Sequence, residues 1–108
     1  MQINLIFLDK SHIFFIKKEK KLSLLNINCE NKKIKSFSQN FFLEFSGYKK
    51  KNIKEIKIIK YNSQTYVFFS LINFKKIFNH KKVNFNNLLN YKLPMIISNN
   101  ILLISKLI

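Results

Sequence analysis

Short apolar runs bounded by polar turns fill most of the first 72 residues, and this spacing predicts a chain rich in β-strands. The predicted strands cover residues 3–8, 12–17, 53–60 and 64–72. Polar residues 9–11 connect the first two runs, so we expect the chain to open with a hairpin. Residues 22–28 alternate only weakly, and they fit either a further strand or an ordered loop.

One segment in the middle of the chain has helical spacing instead. Phe37, Phe41 and Phe45 recur every fourth residue and predict one apolar stripe along the helix. Ser36 is the predicted N-cap of this helix. Gly47, the single glycine of the chain, is predicted to end it in the left-handed conformation.

The remaining segments carry weaker signals. Residues 29–35 and 49–52 are predicted loops, residues 73–82 a loop near the binding face, and residues 83–90 a short turn of helix. Ser98 is the predicted N-cap of a last helix, lined on one side by Ile101, Ile104 and Ile108. The order β-β-(β)-α-β-β-loop-α predicts one α/β (α+β) domain, residues 1–108, with a mixed sheet and helices packed on it.

The charge of the chain has two interpretations. The formal net charge is +15, and all 20 basic residues are lysines, while arginine, alanine and tryptophan are absent. Such usage is typical of an AT-rich reduced genome, in which case much of the charge is a solvated surface produced by codon drift. The same field would nevertheless concentrate a polyanion such as a nucleoside triphosphate or a nucleic acid.

Other features of composition narrow the class of protein. The single Cys29 excludes an internal disulfide and is compatible with a reducing compartment. No cluster of Cys and His offers a zinc site. The N-terminus lacks the order of a signal peptide, and the apolar run 93–108 is too short and too polar to span a bilayer. We therefore expect a cytoplasmic, monomeric protein without a membrane partner.

The end of the central helix resembles a known signature. Residues 40–48, NFFLEFSGY, follow the second half of the Nudix signature, whose pattern is R-E-U-x-E-E-x-G-U with U a bulky apolar residue. Phe42 matches the first U, Glu44 the first of the paired glutamates, Gly47 the glycine and Tyr48 the final U. The chain thus resembles the Nudix hydrolases, and among them the MutT-type 8-oxo-dGTP diphosphatases.

The resemblance implies a site and a fold. Glu30 matches the early glutamate of the family if one residue is deleted before the helix, and Lys18 ends the second strand where arginines are common. Asn100 matches the asparagine that hydrogen-bonds the oxidised guanine. The implied fold is a Nudix-like mixed β-sheet sandwiched between helices. The implied ligands are Mg²⁺, held by Glu44 and Glu30, and a nucleoside triphosphate, contacted by Lys18 and Asn100.

This sequence differs from the signature at the positions of the metal-binding glutamates. Glutamates at i, i+3 and i+4 gather magnesium in the Nudix helix, yet two of these positions are Phe41 and Phe45. Glu44 alone remains as the catalytic carboxylate, and the signature's arginine is Asn40. Phe41 and Phe45 have a plain alternative role as core residues of an amphipathic helix. The resemblance therefore implies a diphosphatase whose activity is weak or lost.

Two other functions stay open on the sequence alone. A small basic RNA-binding protein, such as a ribosomal protein of a reduced genome, would use the lysine runs 17–21 and 49–51 as phosphate contacts. A degenerate domain that folds and binds a ligand without catalysis would also explain the lost glutamates.

Overall fold

Seven strands and one α-helix are formed by the residues that the computed structural model describes, which are 1–9, 12–18, 21–30, 33–73 and 80–84. In chain order the elements are β1 (Gln2–Leu8), β2 (His12–Lys18), β3 (Lys21–Ser23), β4 (Leu25–Asn28), α1 (Ile34–Ser46), a 3-10 turn (Lys50–Asn52), β5 (Ile53–Tyr61), β6 (Gln64–Leu71) and β7 (His80–Asn84). The four strands predicted from apolar runs are confirmed with shifts of one residue at their ends.

The strands form one mixed sheet. Its order is β3-β2-β1-β6-β5, with β4 also paired to β1 and β7 to β2. The central pair, β1 and β6, is parallel, and the other pairs are antiparallel. The predicted α+β class and the opening hairpin are therefore confirmed. β5 and β6 are joined by Asn62 and Ser63, both with positive φ, as a two-residue hairpin loop requires.

β1 and β2 diverge after the start of their hairpin. They pair at Phe7 with Phe14 and at Leu8 with Ile13. Farther along, β1 pairs with β4 and β2 pairs with β3, so residues 21–28 line the opening between the two strands. The weakly alternating segment is thus two short strands that change partner at residue 24. This change of partner explains why no single alternation runs through it.

Both faces of the central strands are buried. One face of β1 carries Ile3, Leu5 and Phe7, which pack in the cluster that helix α1 covers. The opposite face carries Ile6 and Leu8, in a second cluster with residues of β2, β6 and β7. Because both faces are covered, β1 is apolar at nearly every position rather than at alternate positions.

Helix α1 starts earlier than predicted. It begins at Ile34, and the N-cap is Lys33, which makes no capping hydrogen bond through its side chain. The prediction of Ser36 as N-cap is therefore wrong, because Ile34 packs on the core cluster and this burial extends the helix by three residues. The predicted end is confirmed: Gly47 has φ +73°, and its N–H donates to the Leu43 carbonyl at 3.1 Å.

The face that α1 turns to the sheet differs in part from the prediction. Phe42 is fully buried, with its ring centroid 5.3 Å from that of Phe7 and 5.1 Å from that of Phe69. Phe37 and Phe41 are half-buried at the margin, and Phe45 is 43% exposed. The stripe is confirmed in part, since Phe37 and Phe41 pack against the core cluster while Phe45 does not. Apolar spacing shows that a helix is amphipathic, but it did not show that Phe42 is the residue at the centre of the contact with the sheet.

The segment after β6 differs as well. His80–Asn84 is strand β7, which pairs with β2 and buries Val83, so the loop predicted to reach residue 82 and the helical turn predicted from residue 83 are wrong there. Pairing with β2, which is distant in sequence, decides this segment. The predicted last helix, starting at Ser98, lies outside the described residues. Within the described ranges, no helix is long and apolar enough to cross a membrane.

We expect Phe42→Ala to lower the free energy of unfolding by about 3–5 kcal/mol, because it removes a fully buried ring from the helix–sheet interface. Phe45→Ala, on the same helix, is the matched control and should cost about 1 kcal/mol or less. Urea unfolding followed by circular dichroism measures both. Equal losses for the two variants would contradict the assigned core face.

Candidate functional site

Glu44 lies on the exposed side of α1. The residues three before it and one after it are Phe41 and Phe45, whose rings stack with centroids 5.6 Å apart and planes 13° apart. The aromatic rings thus occupy the positions that, in the sequence resemblance, belong to carboxylates. Glu44 therefore stands beside an apolar stack, and this stack offers no oxygen ligand to a cation.

Glu30 is exposed and follows Cys29, which is buried at the end of β4. The described part of the chain contains no group of three or more His, Cys, Asp or Glu side chains that could hold a metal ion. Magnesium requires several oxygen ligands in near-octahedral geometry. The described residues therefore do not fit a magnesium ion held by the protein alone. The assignment of Glu44 and Glu30 as magnesium ligands stays a prediction.

The other two predicted site residues are less defined. The backbone of Lys18 pairs with that of Lys21 at the end of β2. Asn100 lies outside the described residues. Their assignment as contacts to phosphate and to a purine base stays a prediction.

Three side-chain amides and a tyrosine hydroxyl form a cluster on the sheet face opposite α1, which the local sequence pattern did not predict. We call it the amide cluster, and its members are Asn4, Asn26, Gln64 and Tyr66. Asn26 Nδ2 donates to Asn4 Oδ1 at 2.9 Å, and Asn4 Nδ2 donates to Gln64 Oε1 at 3.2 Å. Tyr66 Oη donates to the same Gln64 oxygen at 3.5 Å. The four side chains thus form one continuous hydrogen-bonded network across three strands.

Strand register brings these residues together. Asn4 pairs with Asn26 of β4 on one side and with Tyr66 of β6 on the other. Asn4 is 8% exposed, and its amide also donates to the Thr65 carbonyl at 3.3 Å. Because Asn4 is held by three partners, it fixes the position of Asn26, which is exposed. A signal was present in the sequence: Asn4 is the one polar residue inside the apolar run 3–8.

The surroundings of the cluster are apolar and aromatic. Ile59 pairs with Tyr66, and Tyr61 pairs with Gln64, so both lie on the same face of the sheet. Burial raises the pKa of Tyr66, and the neighbouring Tyr61 raises it further. The Tyr66 hydroxyl therefore stays protonated at neutral pH and can donate. Together these side chains offer amide donors and acceptors beside aromatic rings.

Comparison with solved structures identifies a protein with a similar fold. No protein-family model and no curated protein matches the sequence. A solved structure of MutT, from work on the proteins of Aliivibrio salmonicida and Vibrio cholerae, matches with a TM-score of 0.53 over 99% of this chain and 97% of that chain. The chain has the MutT fold. The sequence identity is 14%, so the similarity concerns the fold alone.

The MutT fold agrees with the resemblance of residues 40–48 to the Nudix signature. In this chain those residues are the last turns of α1, the loop after it and the aromatic contact of Tyr48 with Phe42, at a centroid distance of 6.2 Å. Phe42, Gly47 and Tyr48 therefore have structural roles. Phe41 and Phe45, beside Glu44, are positions at which the sequence differs from the signature.

We expect ionisation of Tyr66 to destabilise the fold at high pH. Its pKa is raised in the folded protein, so the stabilisation is complete below the unfolded value of 10.0 and is lost as pH rises through the folded value. Lysine titration also changes stability in this range, so Tyr66→Phe is the reference. The unfolding free energy of the wild type should fall relative to that of the variant above pH 10. Parallel pH curves would contradict the assignment.

Proposed function

We propose that this protein binds a nucleoside triphosphate on the amide cluster and hydrolyses it weakly or not at all. The implied reaction is the MutT one, conversion of 8-oxo-dGTP to 8-oxo-dGMP and pyrophosphate. The observation that carries the binding is the hydrogen-bonded amide cluster, whose Asn26 and Gln64 are exposed. The stack of Phe41 on Phe45 beside Glu44 is the reason to expect weak or lost hydrolysis. We further propose that the protein acts as a monomer in the cytoplasm.

Base recognition follows from the chemistry of the amide cluster. A purine edge presents donors and acceptors in one plane, and an asparagine amide offers both. Asn26 is positioned by Asn4, so its remaining N–H and its carbonyl oxygen meet a base with little loss of side-chain entropy. Tyr61 and Ile59 flank the cluster and provide a surface against which a ring can pack.

Hydrolysis depends on what remains of the acidic helix face. Glu44 is the proposed base that accepts a proton from the attacking water. It lies on the exposed side of α1, across the sheet from the amide cluster, so a nucleotide bound on the cluster is poorly placed to reach it. Two further carboxylates of the signature are absent, and each 1.36 kcal/mol of lost transition-state stabilisation lowers the rate about tenfold. We therefore expect turnover orders of magnitude below that of an intact diphosphatase. Lys18 and Asn100 are the proposed contacts to phosphate and base, and Glu30 is a proposed supporting carboxylate.

The binding part predicts that Asn26→Ala raises the dissociation constant for 8-oxo-dGTP by about tenfold or more, because a positioned amide is lost from the base contact. Asn40→Ala, which removes an exposed amide from α1, is the matched control and should leave binding unchanged. Isothermal titration calorimetry with and without magnesium measures both. Binding that survives Asn26→Ala, or that requires magnesium, would contradict the proposal.

The catalytic part predicts that residual pyrophosphate release is abolished by Glu44→Gln while 8-oxo-dGTP binding is retained. Glu55→Gln, at another exposed glutamate, is the control and should leave release unchanged. Release is measured with purified protein at saturating nucleotide. If Glu44→Gln leaves a measurable rate intact, Glu44 has no catalytic role. If the wild-type protein releases no pyrophosphate, the protein binds the nucleotide without hydrolysing it.

A further inference from the structure

Half of the residues from 49 to 60 are lysines, and all of these lysines are exposed. We call this set the lysine ridge, and its members are Lys49, Lys50, Lys51, Lys54, Lys57 and Lys60. Glu55 is the single acidic residue between them. None of the six lysines forms an ion pair with a carboxylate among the described residues. Their charge is therefore directed at solvent or at a ligand.

The ridge follows one edge of the described sheet. β5 is the last strand of the strand order β3-β2-β1-β6-β5, and the three consecutive lysines lie in the 3-10 turn and the residue before it. Lys57 pairs with Phe68 and shares the face of the amide cluster, whereas Lys60 pairs with Thr65 on the other face. A strand of nine residues extends about 30 Å at 3.4 Å per residue. Positive charge therefore continues along a line rather than gathering at a point.

We propose that the lysine ridge binds the phosphate backbone of single-stranded nucleic acid. A line of like charges repels itself, and a phosphate chain that follows the line relieves this repulsion and releases its own counterions. Lysine ammonium groups bind phosphate as point charges and need no fixed geometry. This interaction goes beyond the proposed function, since the lysines of the ridge are not part of the proposed nucleotide site, and only the contacts to bases would use the same amide face.

The neighbourhood of the ridge favours nucleic acid over an acidic peptide. Lys57 stands on the sheet face that also carries Tyr61 and the amide cluster. An unstacked base can pack on the tyrosine and hydrogen-bond with amides, while its phosphates meet the lysines. An acidic peptide would use the charges alone. A line of charge along the sheet edge, next to a face that carries aromatic and amide groups, fits a nucleotide chain.

The test is the salt dependence of binding of the full chain to a fluorescent oligouridylate about 12 nucleotides long, measured by anisotropy from about 50 to about 300 mM salt. Six phosphate contacts predict a slope of log K against log salt of about −4. The double variant Lys57→Gln/Lys60→Gln should reduce the magnitude of this slope by roughly 1.4. The control Lys35→Gln/Lys82→Gln removes the same charge from exposed lysines elsewhere and should keep the slope. Circular dichroism verifies that both variants fold.

Three outcomes would overturn the proposal. Equal changes in slope for the two double variants would show a response to net charge alone. Stronger displacement of the oligonucleotide by polyglutamate than by unlabelled oligouridylate would assign the ridge to acidic proteins. Absence of oligonucleotide binding at low salt would exclude it outright. Asn26→Ala separates this proposal from the nucleotide site, because it should weaken 8-oxo-dGTP binding and leave the oligonucleotide salt slope unchanged.

Discussion

The packing of one buried aromatic ring holds the helix on the sheet. Phe42 lies against Phe7 of β1 and Phe69 of β6, whose own centroids are 5.4 Å apart. These two strands are the parallel pair at the centre of the sheet, so the contact joins the helix to the most buried part of the fold. It also fixes the rotation of α1, because a helix that buries Phe42 turns Glu44, two residues farther on, to the opposite side.

This rotation has consequences for chemistry. The exposed side of the helix carries Glu44, beside the stacked rings of Phe41 and Phe45. Stacking of these rings buries part of their apolar surface and contributes to the stability of the helix. The fold and the chemistry of this helix are therefore separate properties, since the buried contact of Phe42 does not depend on which residues occupy the exposed side.

The opposite face of the sheet shows the reverse arrangement, with polar groups retained in an apolar setting. Asn4 is buried, and its hydrogen bonds to Asn26, Gln64 and the Thr65 carbonyl make its burial tolerable. A buried polar network of this kind is not needed for stability, because apolar side chains of similar volume would stabilise the fold as well. Its exposed members, Asn26 and Gln64, open towards solvent beside aromatic residues, which is an arrangement suited to ligand binding.

The sequence by itself determined the type of most elements: the strand runs, the central helix, its end at Gly47 and the hairpin at the start all follow from local periodicity and backbone preference. It did not determine which face of α1 is buried, that His80–Asn84 is a strand, or that Asn4, Asn26 and Gln64 meet. Those features depend on register between strands far apart in the chain, and a local pattern records the period of an element but not its partner. The lysines of residues 49–60 were visible from the start, but only the tertiary structure placed them along a sheet edge beside amides and tyrosines.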